Sequence, residues 1–350
     1  MKRNILITIF IILILLFNPK TLSFVKNMNP LSNGRFENIK EISFSYGANM
    51  VFTKYREGLL MYDGRNLVHI DNKGERIFNL SLRINDYSLD TNDNDIYILD
   101  KTSKEVYIID RRGSISNRLK VNDNAVYIKC FRNGNFLIHY ETDIELEGVK
   151  LFNSKGDTIK DISIPKAVIN FVQIDNNTQG FLVSAINIEN DSLFNNLFFY
   201  DRKGDLVVAD KSESRVFIGS EILPREMFLI EPNSVEVRNR ELQSLRIVPL
   251  RDNIRYINNM ENGIGIIDDS GKLIHIDKNG QEKIMTYPID KIKGFEYMSK
   301  GVAVYSDRSI YFDSLNQKYD FTKDIIKAIS LDNDHLIVIF RGSIKFFKLM

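Results

Sequence analysis

One short phrase recurs along this 350-residue chain, and it limits the fold more than any other feature. In its clearest copy, Val106–Gly113 reads VYIIDRRG: four apolar residues, Asp, two basic residues and Gly. Val, Tyr and Ile favour a pleated, half-buried strand. An Asp side chain accepts hydrogen bonds from the backbone that follows it, and Gly adopts positive φ without a steric clash. Each copy therefore predicts a strand, a tight turn and a second strand.

Copies of this phrase follow one another at a spacing of about 40 residues, which is typical of the blades of a β-propeller. Two copies are degenerate. Asp313–Asn316 has Asn in place of Gly, and Arg238–Glu241 keeps only the strand before the turn. The intact copies are Asp71–Gly74, Asp110–Gly113, Asn153–Gly156, Asp201–Gly204 and Asp277–Gly280.

Each unit divides into four strands, which we letter a to d. In the second unit these are strand a near Tyr87–Leu89, b at Asp95–Leu99, c at Glu105–Ile109 and d at Ser114–Val121. We predict an all-β fold, a β-propeller with eight four-stranded blades. Seven blades are the alternative, because the fifth unit is degenerate.

The last unit contains strands a, b and c, near Ile325–Leu331, at His335–Phe340 and at Ser343–Leu349, and it lacks strand d. The N-terminal stretch Phe36–Ile42 is strand-like and belongs to no unit. If this stretch supplies the missing strand, the two ends of the chain close the ring and remove an exposed sheet edge. We therefore expect Phe36–Ile42 to pair with Ser343–Leu349.

The chain begins with Lys2 and Arg3, and Ile5–Phe17 is then apolar except for Thr8. This pattern matches a signal sequence, although a membrane span normally needs about 20 apolar residues. No small-residue cleavage site follows it at Asn18–Thr21. We predict an uncleaved signal anchor with a hydrophobic helix at residues 1–20, a linker at 21–35 and the propeller at 36–350. The propeller is then expected outside the cytoplasmic membrane, with secretion after cleavage as the alternative.

Composition excludes several partners and sites. The formal net charge is +1, and no basic stripe with interleaved aromatics is present, so we expect no nucleic-acid partner. Cys130 is the single cysteine, which excludes an intrachain disulfide. The sequence shows neither a nucleophile elbow nor a phosphate loop. We therefore assign no catalytic residue.

Three stretches carry a resemblance to a known family: Gly58–Leu80, Asp95–Gly113 and Ile164–Gly204. In them the chain resembles bacterial proteins that join one N-terminal membrane segment to a quinoprotein-like (PQQ-like) eight-bladed propeller. The resemblance implies this architecture and an envelope location, and the family has no agreed activity. Quinoproteins use Trp-containing blade motifs, whereas this chain has no Trp. We therefore expect no bound pyrroloquinoline quinone and no other cofactor, apart from a calcium ion at the site considered next.

Acidic residues recur where the chain enters strand a of several blades. In a propeller these segments surround one mouth of the central channel, where a ring of carboxylates would focus negative potential. Such a ring offers the oxygen ligands that Ca²⁺ prefers. Ordinary turn chemistry is the alternative explanation. The candidate residues are Asp86, Asp123, Asp252, Asp290 and Asp324.

The third and fourth units are the longest, because the segments between their b and c strands are extended. These segments, at residues 141–148 and 187–196, would overhang the same face as the channel-mouth acids. An acidic rim there is a candidate partner site, with tolerated loop growth as the alternative. Its acidic residues are Glu141, Asp143, Glu145 and Glu147.

Two functions follow from these observations. The first is a membrane-tethered, non-enzymatic scaffold that binds a protein or polysaccharide of the cell envelope. The alternative is a metal-dependent propeller enzyme, such as a hydrolase, a lyase or a sugar-active enzyme, with its site at the central channel.

Overall fold

The computed structural model describes residues 36–47, 49–121, 123–142 and 146–349. All regular elements in these ranges are β-strands. The predicted signal anchor at residues 1–20 and the linker at 21–35 lie outside the described residues. Within the described ranges, no helix has the length and apolar character needed to cross a membrane.

The strands form eight antiparallel sheets of four strands each, so the prediction of eight blades is confirmed and that of seven is wrong. In each blade the strands follow the chain from a to d, except in the last. Blades 1 to 4 consist of β2 (Val51–Tyr55), β3 (Gly58–Tyr62), β4 (Asn66–Ile70) and β5 (Arg76–Ser81); β6 (Tyr87–Thr91), β7 (Asp95–Asp100), β8 (Glu105–Asp110) and β9 (Ile115–Lys120); β10 (Asn124–Cys130), β11 (Phe136–Glu141), β12 (Leu146–Phe152) and β13 (Thr158–Pro165); and β14 (Val168–Asp175), β15 (Gly180–Glu189), β16 (Ser192–Tyr200) and β17 (Leu206–Glu213).

The other half of the ring repeats this order. Blades 5 to 8 consist of β18 (Gly219–Ile222), β19 (Glu226–Glu231), β20 (Ser234–Asn239) and β21 (Ser244–Pro249); β22 (Ile254–Met260), β23 (Gly263–Asp268), β24 (Leu273–Asp277) and β25 (Glu282–Met285); β26 (Gly294–Met298), β27 (Gly301–Tyr305), β28 (Ser309–Phe312) and β29 (Gln317–Asp320); and β30 (Ile325–Ser330), β31 (His335–Phe340), β32 (Ser343–Leu349) and β1 (Phe36–Ser43).

The two ends of the chain close the ring, as predicted. β1 pairs with β32 antiparallel, from Phe36 opposite Leu349 to Ser43 opposite Ser343. Phe36 is 1% exposed, and its ring centroid lies 3.8 Å from that of Phe312 in blade 7 and 4.8 Å from that of Phe347. The closing strand is therefore held by backbone pairing within blade 8 and by aromatic packing against blade 7.

The repeated turns have the predicted chemistry. In blade 2, Asp110 Oδ1 accepts hydrogen bonds from the backbone N–H groups of Arg112 and Ser114, each at 2.9 Å. Gly113 adopts a φ of 80°, in the left-handed region that favours glycine. Asp71, Asp201 and Asp277 fix their turns in the same way, whereas Asp313 Oδ1 in blade 7 accepts from Val302 N–H at 2.7 Å.

The fifth turn differs from the prediction by one residue. We placed it at Arg238–Glu241, whereas the turn hydrogen bond joins Leu242 N–H to the Asn239 carbonyl oxygen at 3.2 Å. Asn239 Oδ1 accepts from the backbone of Glu241 and Gln243, as Asp110 does in its own turn. Leu242 takes a φ of 60°, the position that Gly occupies elsewhere. Blade 5 is thus complete, and the substitution of Leu for Gly concealed its turn.

The path of the chain defines two faces. The b–c turns and the connections between blades lie on one face, which we call the upper face, while the a–b and c–d turns lie on the lower face. Because Phe36 pairs with Leu349 at the end of strand c, the chain enters blade 8 from the lower face. The first residue of β1, Phe36, therefore lies on the side opposite the b–c turns.

Candidate functional site

The inner strands place polar side chains at one level of the central channel. Every blade has a polar residue opposite the second or third residue of strand b, and the six in blades 2 to 7 lie on consecutive inner strands. All six are partly exposed, and we call them the polar girdle. Its members, from blade 2 to blade 7, are Asp90, Lys129, Gln173, Glu221, Asn258 and Glu296.

The girdle and its neighbours also join the blades. Each inner strand has one edge without a neighbouring strand, so its backbone groups need other partners. Asp90 Oδ2 accepts from Cys130 N–H at 2.9 Å, and Glu296 Oε2 accepts from Ser330 N–H at 3.1 Å. Asn258 Nδ2 donates to the Phe295 carbonyl oxygen at 3.3 Å. In each case a side chain satisfies the inner edge of the next blade.

Two girdle glutamates have raised pKa values because they are removed from water. Burial raises the pKa of Glu296 to about 7, although the Ser330 N–H, Lys327 and Lys54 oppose this rise. Burial also raises the pKa of Glu221, with Asn259 and Lys129 acting against it. A carboxyl group with a pKa near 7 can exchange protons at neutral pH, which is the property required of an acid–base group.

Three of the five predicted channel-mouth acids make separate ion pairs. Asp86 lies 3.1 Å from Lys101, Asp123 lies 2.6 Å from Lys150, and Asp324 lies 2.6 Å from Arg308. These basic partners belong to the b–c turns or to strand c, so the contacts direct the three carboxylates toward the outer parts of the blades. Asp252 is partly exposed and Asp290 is exposed. Among the described residues, no three His, Cys, Asp or Glu side chains group closely enough to hold a metal ion.

The described acids of the predicted rim differ in their exposure to solvent. Glu141 is exposed at the end of β11, while Asp143 and Glu145 lie outside the described residues. Glu147 is only 13% exposed and lies between blades 3 and 4. Its Oε2 accepts from Ile169 N–H at 2.7 Å and lies 2.8 Å from His139 Nε2. Glu147 therefore joins two blades and does not present its charge to solvent.

A groove of about 650 Å³ opens on the upper face between the long hairpins of blades 3 and 4. Its apolar residues are unusually exposed: Val168 at 61% and Ile188 at 74%. Glu141 and Thr142 form the wall on the side of blade 3. Ile188 is near the tip of the β15–β16 hairpin, which the sequence identified only as a long segment. The sequence therefore located the surface but did not indicate its apolar character.

The sequence did not reveal the polar girdle either. Its members include acids, a lysine and amides, so no single residue type marks this position. The signal was a polar residue one or two positions before the end of each of these inner strands. Alignment of the eight units on their b strands would have exposed it.

Comparison with known proteins extends these observations. The model of a family of unknown function (DUF5711) matches residues 32–349. A search of curated proteins found no match. Among solved structures, BamB from Moraxella catarrhalis is similar with a TM-score of 0.60 and 8% identity, covering 90% of this chain and 100% of that one.

Two further solved structures are similar over most of their length. The computationally designed Ika8 protein has a TM-score of 0.65 and 10% identity, covering 89% of this chain and 99% of its own. The β-propeller domain of Cps50 (Swd1) from Myceliophteria thermophila has a TM-score of 0.55 and 9% identity, covering 90% of this chain and 100% of that one. At these identities the similarity concerns the fold.

Proposed function

Because the chain belongs to the family of unknown function DUF5711, we propose its function from its geometry: it is a rigid scaffold that binds a protein partner in the upper-face groove. The observation that carries this proposal is the exposure of Val168 and Ile188, at 61% and 74%, within one concave surface. Exposed apolar side chains that line a groove between polar rims are typical of protein interaction sites.

The surroundings of the groove favour a particular kind of partner. Glu141, at the end of β11, is an exposed acid on the wall of the groove. Opposite charges across an interface steer association and set its orientation. We therefore expect a protein segment with two or more apolar side chains for the groove and a basic residue next to them that pairs with Glu141.

The fold also favours a defined orientation if the predicted signal anchor holds the protein at a membrane. A tether at residues 1–20 would reach the ring through Phe36, on the lower face, so the groove would open away from the bilayer. A propeller outside the cytoplasmic membrane would then present the groove to proteins of the envelope. Secretion after cleavage would leave the groove equally accessible.

Site-specific photocrosslinking in cells tests the scaffold. A photoreactive residue in place of Ile188 is expected to capture a partner whose crosslinked peptide is apolar with a basic residue next to it. The same residue in place of Ile284, which is 59% exposed on the outer strand of blade 6, is the matched control. Val168→Asp should abolish capture at position 188. Equal capture at both positions, or capture that survives Val168→Asp, would contradict the proposal.

A metal-dependent enzyme with its site at the central channel is the second candidate function, and the pKa of about 7 at Glu296 favours it. Elemental analysis of the purified full-length protein tests this candidate through the divalent ion that it requires. Melting with and without CaCl₂ tests the channel-mouth acids. A calcium-dependent rise in Tm that is lost in the triple variant Asp86→Asn, Asp252→Asn and Asp290→Asn would support a cation at that mouth.

A further inference from the structure

A cavity of about 490 Å³ lies in the channel against the inner strands of blades 2 to 6. Two buried polar atoms in its lining residues make no hydrogen bond: Asn170 Oδ1 and Ser220 Oγ. Tyr127 also lines the cavity. Burial raises the pKa of its hydroxyl, but the Val172 backbone N–H opposes this rise and therefore acts as its partner. We therefore rest the inference on Asn170 and Ser220. Buried polar groups normally have partners, and two without any in one cavity indicate a polar occupant.

The same cavity contains two opposite charges. Lys129 of blade 3 and Glu221 of blade 5 both line this cavity, with Gln173 of blade 4 between them. Burial raises the pKa of Glu221, and the charge of Lys129 opposes this rise without a hydrogen bond between the two side chains. The hydrogen bond to the Glu221 carboxylate comes from Asn259. A cationic group and an anionic group that face one cavity without bonding to each other can each receive a group of opposite charge.

The remaining groups divide into donors and acceptors. Asn170 Nδ2 donates to the Phe217 carbonyl oxygen, which leaves Asn170 Oδ1 as a free acceptor. Ser220 is only 6% exposed, and its hydroxyl can donate or accept. Among its polar groups the cavity thus offers an ammonium group, a carboxylate, an acceptor and a hydroxyl.

We propose that this cavity binds a small zwitterion with a polar side chain, such as a free polar amino acid. The ligand carboxylate would bind Lys129, its ammonium group would bind Glu221, and a donor on its side chain would reach Asn170 Oδ1. This site is separate from the upper-face groove, and it is an addition to the proposed scaffold function.

Isothermal titration of the full-length protein with L-serine, L-asparagine and L-glutamine in turn tests the proposal. Saturable binding of at least one of them is expected, and its N-acetyl and amide derivatives should bind at least 10-fold more weakly, because each lacks one charge. Glucose, a neutral polyol, should not bind. If no amino acid binds up to 10 mM, or if glucose and the uncharged derivatives bind equally well, the proposal is wrong.

Substitutions locate the site. Glu221→Gln and Lys129→Gln should each weaken binding at least 10-fold, since each removes one charge from a charge-assisted contact. Glu241→Gln and Lys155→Gln, in exposed outer turns, are the matched controls and should bind as the wild type does. If either channel variant fails to fold, the weaker binding of the N-acetyl and amide derivatives to the wild-type protein still tests the proposal. Val168→Asp should leave ligand binding intact, so failure of the groove proposal would be distinguishable from failure of this one.

Discussion

Two glutamates, one buried within the fold and one partly exposed at the channel, accommodate their charge in different ways. Glu236, in β20 of blade 5, is 1% exposed, and its carboxylate accepts from Arg215 at 2.7 Å and from Arg238 at 3.1 Å. Glu296, in β26 of blade 7, is held by neutral donors, among them Ser330 N–H at 3.1 Å and the Tyr256 hydroxyl at 3.5 Å. The negative charge of Glu236 is balanced by two arginines. In the described part of the chain Glu296 has no such partner in hydrogen-bond contact, and burial raises its pKa to about 7.

The difference follows from what each glutamate joins. Arg238 also contacts Asp210 and Ser212 on the outer strand of blade 4. The ion pairs around Glu236 therefore connect blades 4 and 5. Glu296 satisfies one backbone group of blade 8 at the edge of the channel. A charge enclosed between two blades requires charged partners, while a carboxyl group beside a polar channel can take up a proton.

Glu236→Ala should have the largest effect. It leaves Arg215 and Arg238 without their shared acid in a buried place, and loss of one partner of a buried ion pair costs about 3–5 kcal/mol. Urea unfolding at pH 7 measures this loss. Glu241→Ala, exposed in the outer turn of the same blade, should change stability by less than about 0.5 kcal/mol. A decrease in the free energy of unfolding of less than about 1 kcal/mol for Glu236→Ala would show that the contact between blades 4 and 5 does not depend on the Glu236 charge.

Glu296→Gln should make the protein more stable at alkaline pH. A carboxyl group whose pKa is higher in the folded state gives stability at low pH, and this stability falls as pH rises from about 4 to 7. With a folded pKa of about 7, the fall is on the order of 3 kcal/mol. Gln keeps an acceptor for Ser330 N–H and does not ionise. Wild type and variant should therefore match near pH 4 and diverge by pH 8, and parallel profiles would disprove the shift.

The sequence predicted the parts of the fold that depend on local chemistry. Asp110 and Gly113 define a turn whatever lies around them, so the turns and their spacing could be read from the chain. The absence of a fourth strand after Leu349 predicted closure by Phe36–Ile42. The fifth turn was misplaced because Leu242 holds a conformation that sequence reasoning reserves for Gly or Asn.

The candidate sites depend on contacts between blades, which local reasoning does not reach. Lys129 and Glu221 are about 90 residues apart, and only ring closure places them on one cavity. Glu147 reads as a solvated acid in an acidic segment, yet it lies against His139 and the backbone of blade 4. Sequence patterns locate surfaces in a propeller, and the neighbouring blade determines what each surface carries.

Glu236→Gln should have an effect opposite in sign to that of Glu296→Gln at pH 8. Gln preserves the shape of Glu236 and removes the charge that both arginines need, and a hydrogen bond to a charged group contributes about 1.5–3 kcal/mol. We expect a loss of about 2 kcal/mol in urea unfolding at pH 8. If both substitutions stabilised the protein, the arginines around Glu236 would not offset the free-energy cost of its burial.

Asp86→Asn should have the smallest effect, because this acid is paired on the surface. Its carboxylate lies 3.1 Å from Lys101, with 64% of the Asp86 side chain exposed, and exposed ion pairs contribute about 0–1 kcal/mol. The expected loss in urea unfolding is below 1 kcal/mol and should shrink further in 1 M NaCl, where charges are screened. Lys101→Ala should give the same small loss, and the double variant should lose no more than either single variant. A loss above about 2 kcal/mol would place Asp86 with the buried ions of blade 5 and would indicate a further partner at the channel mouth.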